Sequence, residues 1–181
     1  MRVVSGSRKG TPLKSLAGNL TRPTSDKVKE SIFNMIGPYF DGGTAVELFG
    51  GSGSLSIESL SRGASAAYIF EKNPKAVSII RENIEKCHFT DQVHIFRSDA
   101  RNAVKTLQPL TKIDLLFLDP PYAEEKYYQL AEALAEAGLL TEDAIIICEH
   151  EKRLTLPDAY GEYVKTKNPI YGNSAVSIYM K

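Results

Sequence analysis

Ile113-Asp114-Leu115-Leu116-Phe117-Leu118-Asp119-Pro120-Pro121-Tyr122 changes chemistry once, between Leu118 and Asp119. The run before the break, apolar at all but one position, has the length and composition of a buried strand, and the tetrapeptide after it stands where the backbone must leave the sheet. Neither proline has an N–H, each fixes its own φ, and Pro120 pushes Asp119 towards extended geometry. The strand therefore ends in a stiff edge rich in acceptors. The Asp119 carboxylate and the Pro120 carbonyl could hold an exocyclic amino group there, with the Tyr122 ring stacked on the base that carries it. The same residues also fit a loop in which two prolines merely stop a strand.

Outward from this run, strand-like stretches recur at residues 44–49, 66–70, 93–96 and 144–148, several apolar at successive positions as in strands covered on both faces. Helical periods lie between them. Val77, Ile80, Ile84 and Cys87 make one apolar face, Tyr127, Leu130, Ala131 and Leu134 another, and Gly138 supplies a stop. A further helix is predicted to start near Thr24 or Ser25, with Val28, Ile32 and Met35 inward and Lys27 and Lys29 outward. Residues 163–167 and 175–180 read as two strands joined by the loop 168–173. Repeated βα units closed by an antiparallel hairpin predict an open, mostly parallel α/β sheet of the Rossmann-like kind.

At 181 residues and 43% hydrophobic, the chain suits one domain, divided into a basic arm and helix (1–36) and a core (37–181). No apolar stretch is long enough to span a membrane and the N-terminus lacks the apolar core of a signal peptide, so the reading is cytoplasmic. Cys87 and Cys148 read as buried thiols, and the cysteines and histidines lack metal-ligand spacing, so no metal site is proposed. Residues 1–30 hold seven cations against Asp26 and Glu30, a charge of +5 balanced by the remainder. Arg2, Arg8, Lys9, Lys14 and Arg22 are the candidate contacts to a phosphate-rich partner, although a solvated arm fits the same charges.

In open α/β sheets ligands bind at the carboxyl ends of the strands. The first strand here ends in Glu47-Leu48-Phe49-Gly50-Gly51-Ser52-Gly53, where glycines permit close ligand approach. Ser56 stands where a dinucleotide fingerprint needs glycine, and no Gly-Lys-Ser/Thr of a P-loop is present. A simple strand-to-helix turn also fits the glycines. Glu71, about 20 residues on, suits the hydroxyls of a ribose. In Ser98-Asp99-Ala100 after the third strand, Asp99 could accept from an adenine amino group or cap the next helix. The order is what carries weight: a glycine loop, two acids and Asp-Pro-Pro-Tyr at four successive strand ends fit one nucleoside-bearing ligand laid along one edge.

This arrangement resembles the class I S-adenosylmethionine-dependent methyltransferases, in the branch whose Asp-Pro-Pro-Tyr methylates exocyclic amino nitrogens. Arg2-Val3-Val4-Ser5-Gly6, Arg22-Pro23-Thr24-Ser25-Asp26-Lys27-Val28-Lys29-Glu30-Ser31-Ile32-Phe33-Asn34 and Leu60-Ser61-Arg62-Gly63-Ala64 are similar to the RsmD-type bacterial 16S ribosomal RNA guanine-N2 methyltransferases. The resemblance covers nearly the whole chain. It implies S-adenosyl-L-methionine as cofactor, a guanine of 16S RNA in the small ribosomal subunit as target, and a place for Thr24 near the methionine end of the cofactor. Asp119, Pro120, Pro121 and Tyr122 are then the catalytic tetrapeptide, and Thr24, Glu47, Phe49, Gly50, Gly51, Gly53, Glu71, Ser98, Asp99 and Ala100 the cofactor site. Two positions depart from the family's usual pattern, with Glu47 in place of Asp and Gly50 in place of Ala. Residue types alone leave open adenine N6, protein glutamine, or a non-catalytic RNA-binding module.

Overall fold

The computed structural model of the chain describes residues 1–16, 24–121 and 125–181. The apolar run ahead of Asp119 is β4 (Ile113–Leu118), in the interior of a sheet ordered β3-β2-β1-β4-β5-β9-β7-β6. The neighbours are β1 (Thr44–Leu48), β2 (Ala66–Phe70), β3 (Val93–Phe96) and β5 (Leu140–Glu151), all parallel. β9 (Ser174–Met180) runs antiparallel to β5 and to β7 (Tyr163–Lys167), which pairs with the two-residue β6 (Ala159–Tyr160). The expected open, mostly parallel sheet with an antiparallel end is therefore the observed one. Strand order reverses between β1 and β4, and ligands of such sheets bind at that reversal.

Among the described residues five α-helices cover the sheet: α1 (Asp26–Ile36), α2 (Ser54–Ser61), α3 (Pro74–Lys86), α4 (Ala103–Leu107) and α5 (Glu125–Glu136). Alternation along β4 assigns them to faces. Leu115 and Phe117 join a core with Ile32 and Phe33 of α1, Ile57 of α2 and Ile80 of α3. Leu116 and Leu118 point the other way, into a core with Leu107 of α4 and Tyr128, Ala131 and Leu134 of α5. None of the described helices is long and apolar enough to cross a membrane.

Four sequence expectations are corrected. β5 extends well beyond residues 144–148 because it pairs with β4 on one side and β9 on the other. The loop at 168–173 contains β8 (Ile170–Tyr171), which bridges to the start of β9. Lys29 does not face outward: its side chain is 0% exposed, its Nζ donates to the Arg2 carbonyl at 2.7 Å, and Glu58 Oε1 lies 3.5 Å away. A single apolar stripe on α1 made that face look solvated, whereas the N-terminal segment covers it.

That segment is the fourth correction, since it is no loose arm. Val3 and Leu13 are core residues, Arg2 bridges to Pro12, and the Val4 and Ser5 amides donate to the two Glu58 carboxylate oxygens at 2.9 and 3.0 Å. Glu58 also receives Arg62 Nε at 2.8 Å. One buried carboxylate of α2 thus ties the N-terminus, α1 and its own helix together. Arg22 lies outside the described residues. Of the other candidate RNA contacts, Arg2 pairs with Asp26, Lys14 with Glu82, Arg8 donates to the Cys87 carbonyl and stacks on Phe89, and Lys9 is exposed.

Candidate ligand cleft at the strand carboxyl ends

Parallel register brings five strand ends into one row. Leu48 pairs with Phe70 and with Leu118, Phe70 with Phe96, and Leu118 with Cys148. The residues just beyond these positions therefore share an edge, and a cleft of about 1720 Å³ runs along it. Of the candidate residues, Thr24, Glu47, Phe49, Gly50, Gly51, Glu71, Ser98, Asp99, Ala100, Asp119, Pro120 and Pro121 line it. Gly53 does not, and Tyr122 lies outside the described residues.

The turn after β1 is tight because Phe49 and Gly51 both adopt left-handed backbone, φ +64° and +58°. Such geometry costs a non-glycine residue about 1 to 2 kcal/mol. Here it turns the chain so that the Gly50 amide donates to the Phe70 carbonyl at 2.9 Å and the Phe49 ring meets Tyr127 edge-on. A side chain at Gly50 would meet Ile69 Cγ2 at 2.4 Å, which accounts for glycine where the resembled family carries alanine. At Gly51 it would meet nothing within 4 Å, because that position opens on the cleft. Gly53 instead precedes α2, in left-handed geometry and without a capping side chain. Glu47 takes over the capping, its Oε1 accepting the Ser56 amide at 3.1 Å and the Ser56 hydroxyl at 2.7 Å.

Glu71 is held by the loop it serves. Its two oxygens accept the Gly51 and Asn73 amides, each at 2.9 Å, which leaves lone pairs turned to the cleft for vicinal hydroxyls. Asp99 caps the short turn at 100–102 through the Arg101 amide and pairs with its guanidinium, which holds the carboxyl below its ordinary range. Capping is thus the observed role, with acceptor capacity left over.

The acids near β1, β4 and β5 behave differently. Burial pushes Asp119 well above the usual carboxylate range, and the Glu149 and Glu47 charges add to it. Burial also raises Glu149, against a hydrogen bond from Thr24 Oγ1 at 2.7 Å. Among the described residues neither Asp119, Glu149 nor Glu47 has an ion-pair partner, and Asp119 has no hydrogen bond. An edge with three carboxyls that lack an ion-pair partner among the described residues favours a ligand that brings positive charge or N–H donors. Sequence reading missed Glu149, yet it follows the buried stretch ending at Cys148 as Asp119 follows Leu118, and that repetition was the available signal. It also missed Lys72 and Lys152, exposed cations on the cleft rim.

Burial pushes Glu47, 5% exposed, up to about 7 from 4.5. The folded state therefore holds that proton more tightly than the unfolded chain, so the stability linked to it is complete below about pH 4.5 and is lost as pH rises to about 7. The loss is about 3 kcal/mol. Urea unfolding at pH 5 and pH 7.5 should show Glu47→Gln with a correspondingly flatter pH dependence than the parent. Parallel pH dependences would mean that Glu47 is ionised in the fold.

The model of the family described as "Conserved hypothetical protein 95" matches residues 1–180. Over its whole length the chain is 45% identical to "Putative rRNA methyltransferase YlbH" of Bacillus subtilis, of which it covers 99%. It is 32% identical to "Ribosomal RNA small subunit methyltransferase D" of Haemophilus influenzae over 84% of this chain and 79% of the relative. The structure titled "Putative methyltransferase yhhF from Escherichia coli" superimposes with a TM-score of 0.86 at 26% identity, covering 100% of this chain and 97% of that one.

Proposed function

The chain belongs to the RsmD-type family, whose model is the one described as Conserved hypothetical protein 95, and from that premise we propose that it methylates the exocyclic N2 amino group of a guanine in 16S ribosomal RNA. S-adenosyl-L-methionine is the proposed methyl donor. The observation that carries the reading is Asp119, a carboxylate without a partner among the described residues, next to the strand-order reversal and in the same cleft as the glycine loop and Glu71. Relatives named as methyltransferases of small-subunit RNA support it independently.

The residues present fit that cofactor. Gly51 leaves open space at the cleft wall, Glu71 offers oriented acceptors to ribose hydroxyls, and the uncompensated acids suit a cation. Asp99 and Ala100 would hold the adenine, Thr24 and Glu47 the methionine end. When bound, the cofactor supplies an electrophilic methyl group on a positively charged sulfur. The guanine amino nitrogen is a poor nucleophile because its lone pair is delocalised into the ring. Asp119 and the Pro120 carbonyl accept its two hydrogens, which favours a pyramidal nitrogen with its lone pair aimed away from the protein acceptors. The raised Asp119 carboxyl is able to take up the hydrogen that the methylated nitrogen sheds. Tyr122 stacks on the extruded base in this account, and Lys72 and Lys152 on the rim, with Arg8 and Lys9, meet RNA phosphates.

Glu71→Ala should weaken S-adenosylmethionine binding by about 1 to 3 kcal/mol in calorimetric titration, the range for hydrogen bonds to a charged acceptor. Unchanged affinity would remove Glu71 from the site. The function itself is tested by offering labelled cofactor with undermethylated small subunits, naked 16S RNA or DNA. Label should enter RNA. Label confined to DNA or to protein would overturn the proposal.

A further inference from the structure

The row of strand ends divides at β4. Glu71 and the Ser98 to Ala100 segment follow β2 and β3, and the glycine loop follows β1, all on one side of β4, whereas β5 continues the row on the other side. Leu118 pairs with Cys148, so Asp119, just past the end of β4, and Glu149, the next residue of β5, lie side by side, about 4.8 Å apart in the hydrogen-bonding direction. Glu149 thus lies beyond Asp119 as seen from the proposed cofactor site.

Its position is fixed from two elements. Thr24 Oγ1, just ahead of α1, donates to Oε1 at 2.7 Å, and Tyr128 Oη of α5 donates to the Glu149 carbonyl at 2.6 Å. The other carboxylate oxygen, Oε2, has no hydrogen bond among the described residues. Glu149, held by these bonds, and Asp119, whose carboxylate has no hydrogen-bond partner among the described residues, therefore stand next to one another with acceptor capacity in the cleft.

An ionised carboxylate only accepts hydrogen bonds, and bound N–H donors favour that form against the burial that raises both groups, so a base that meets the ionised pair must present two neighbouring donors. Guanine does so with its N2 amino group and N1–H. Adenine sets its N6 amino group beside the bare N1 lone pair, and cytosine sets N4 beside the bare N3. Extruded bases are read on this Watson–Crick edge. We propose that Glu149 selects guanine, accepting the N1–H hydrogen while Asp119 accepts from the N2 amino group. This rests on the N2-methylation reading above and assigns the residue that distinguishes the target from other amino-bearing bases. Burial of the pair makes two unaccompanied negative charges unfavourable, and the two donors of guanine relieve that cost.

The test compares RNA carrying guanine or 2-aminopurine at the target position. 2-Aminopurine keeps the N2 amino group but has a lone pair at N1. The parent protein should methylate guanine faster in single turnover by about 10²-fold or more, since a site built to bond an N–H rejects an analogue that lacks it. Glu149→Ala should lose rate chiefly on guanine, so that the ratio falls to within about tenfold, while S-adenosylmethionine affinity, touched only through Thr24, falls far less than the rate. Loss of O6 in the analogue is common to both proteins and cancels when the ratios are compared. Glu149→Gln, which keeps the shape and an acceptor and adds a donor, should retain more guanine activity than Glu149→Ala and accept 2-aminopurine better than the parent. A Glu149→Ala protein as discriminating as the parent would overturn the assignment. So would cofactor affinity that falls in step with rate, which would make Glu149 a cofactor ligand. A parent that forms no N2-methylguanine at all would fail at the underlying reading, a separate result.

Discussion

Asp119→Ala is expected to slow single-turnover methyl transfer by about 10²- to 10⁴-fold, the range for losing a well-placed polar group at the reacting centre. In the proposed mechanism the carboxylate orients the amino nitrogen and accepts its proton, so both contributions would go with it. Cofactor affinity should change far less than the rate, because Glu71 follows β2, two strands from Asp119, and of the proposed cofactor contacts only those at the end of β1 adjoin the substitution. Stability should rise or stay level, since the substitution removes a half-buried acid that has no partner among the described residues and is costly to ionise. Urea unfolding, calorimetric titration and quenched-flow transfer on one preparation separate the three. A folded Asp119→Ala protein that transfers methyl at the parent rate would reduce the tetrapeptide to a loop.

Glu58→Ala should destabilise the protein by about 3 to 5 kcal/mol, the cost of removing one member of a buried ionic group. Lys29 is fully buried and Arg62 nearly so, and both pair with Glu58. The Val4 and Ser5 amides lose their acceptor as well. Replacing Lys29 and Glu58 together, Lys29→Met with Glu58→Leu, should recover part of the loss because no unpaired lysine is left. A loss below about 1 kcal/mol for Glu58→Ala would show that the N-terminal segment is held by its apolar residues alone. Removing residues 1–16 strips Val3 and Leu13 from the core, so weaker RNA binding by such a chain would report unfolding as much as lost charge.

Strands 66–70, 93–96 and 113–118 were legible in the sequence to the residue, because each is a mainly apolar run with polar stops, broken only by His94 at the sheet edge and by Asp114 in β4. The place of most candidate residues along the cleft was legible for the same reason, since residues just after such a run must fall on the carboxyl edge. What the sequence hid was contact between distant segments. Lys29 looked solvated because its partners come from positions 2 and 58. Glu149 went unnoticed because no proline follows it to mark the strand end, and β5 runs on to Glu151 in its pairing with β9. The basic character of residues 1–30 was plain, yet charge alone did not reveal that Arg2 and Lys14 pair with acids of α1 and α3.

The central claim is that the edge beside Asp119 presents a guanine amino nitrogen for methylation. Its most direct test is to incubate the purified protein with labelled S-adenosylmethionine and undermethylated small ribosomal subunits, digest the RNA to nucleosides, and identify the labelled one. The account predicts N2-methylguanosine, formed by the parent and lost with Asp119→Ala. Label in N6-methyladenosine, or label in N2-methylguanosine that Asp119→Ala leaves undiminished, would contradict it.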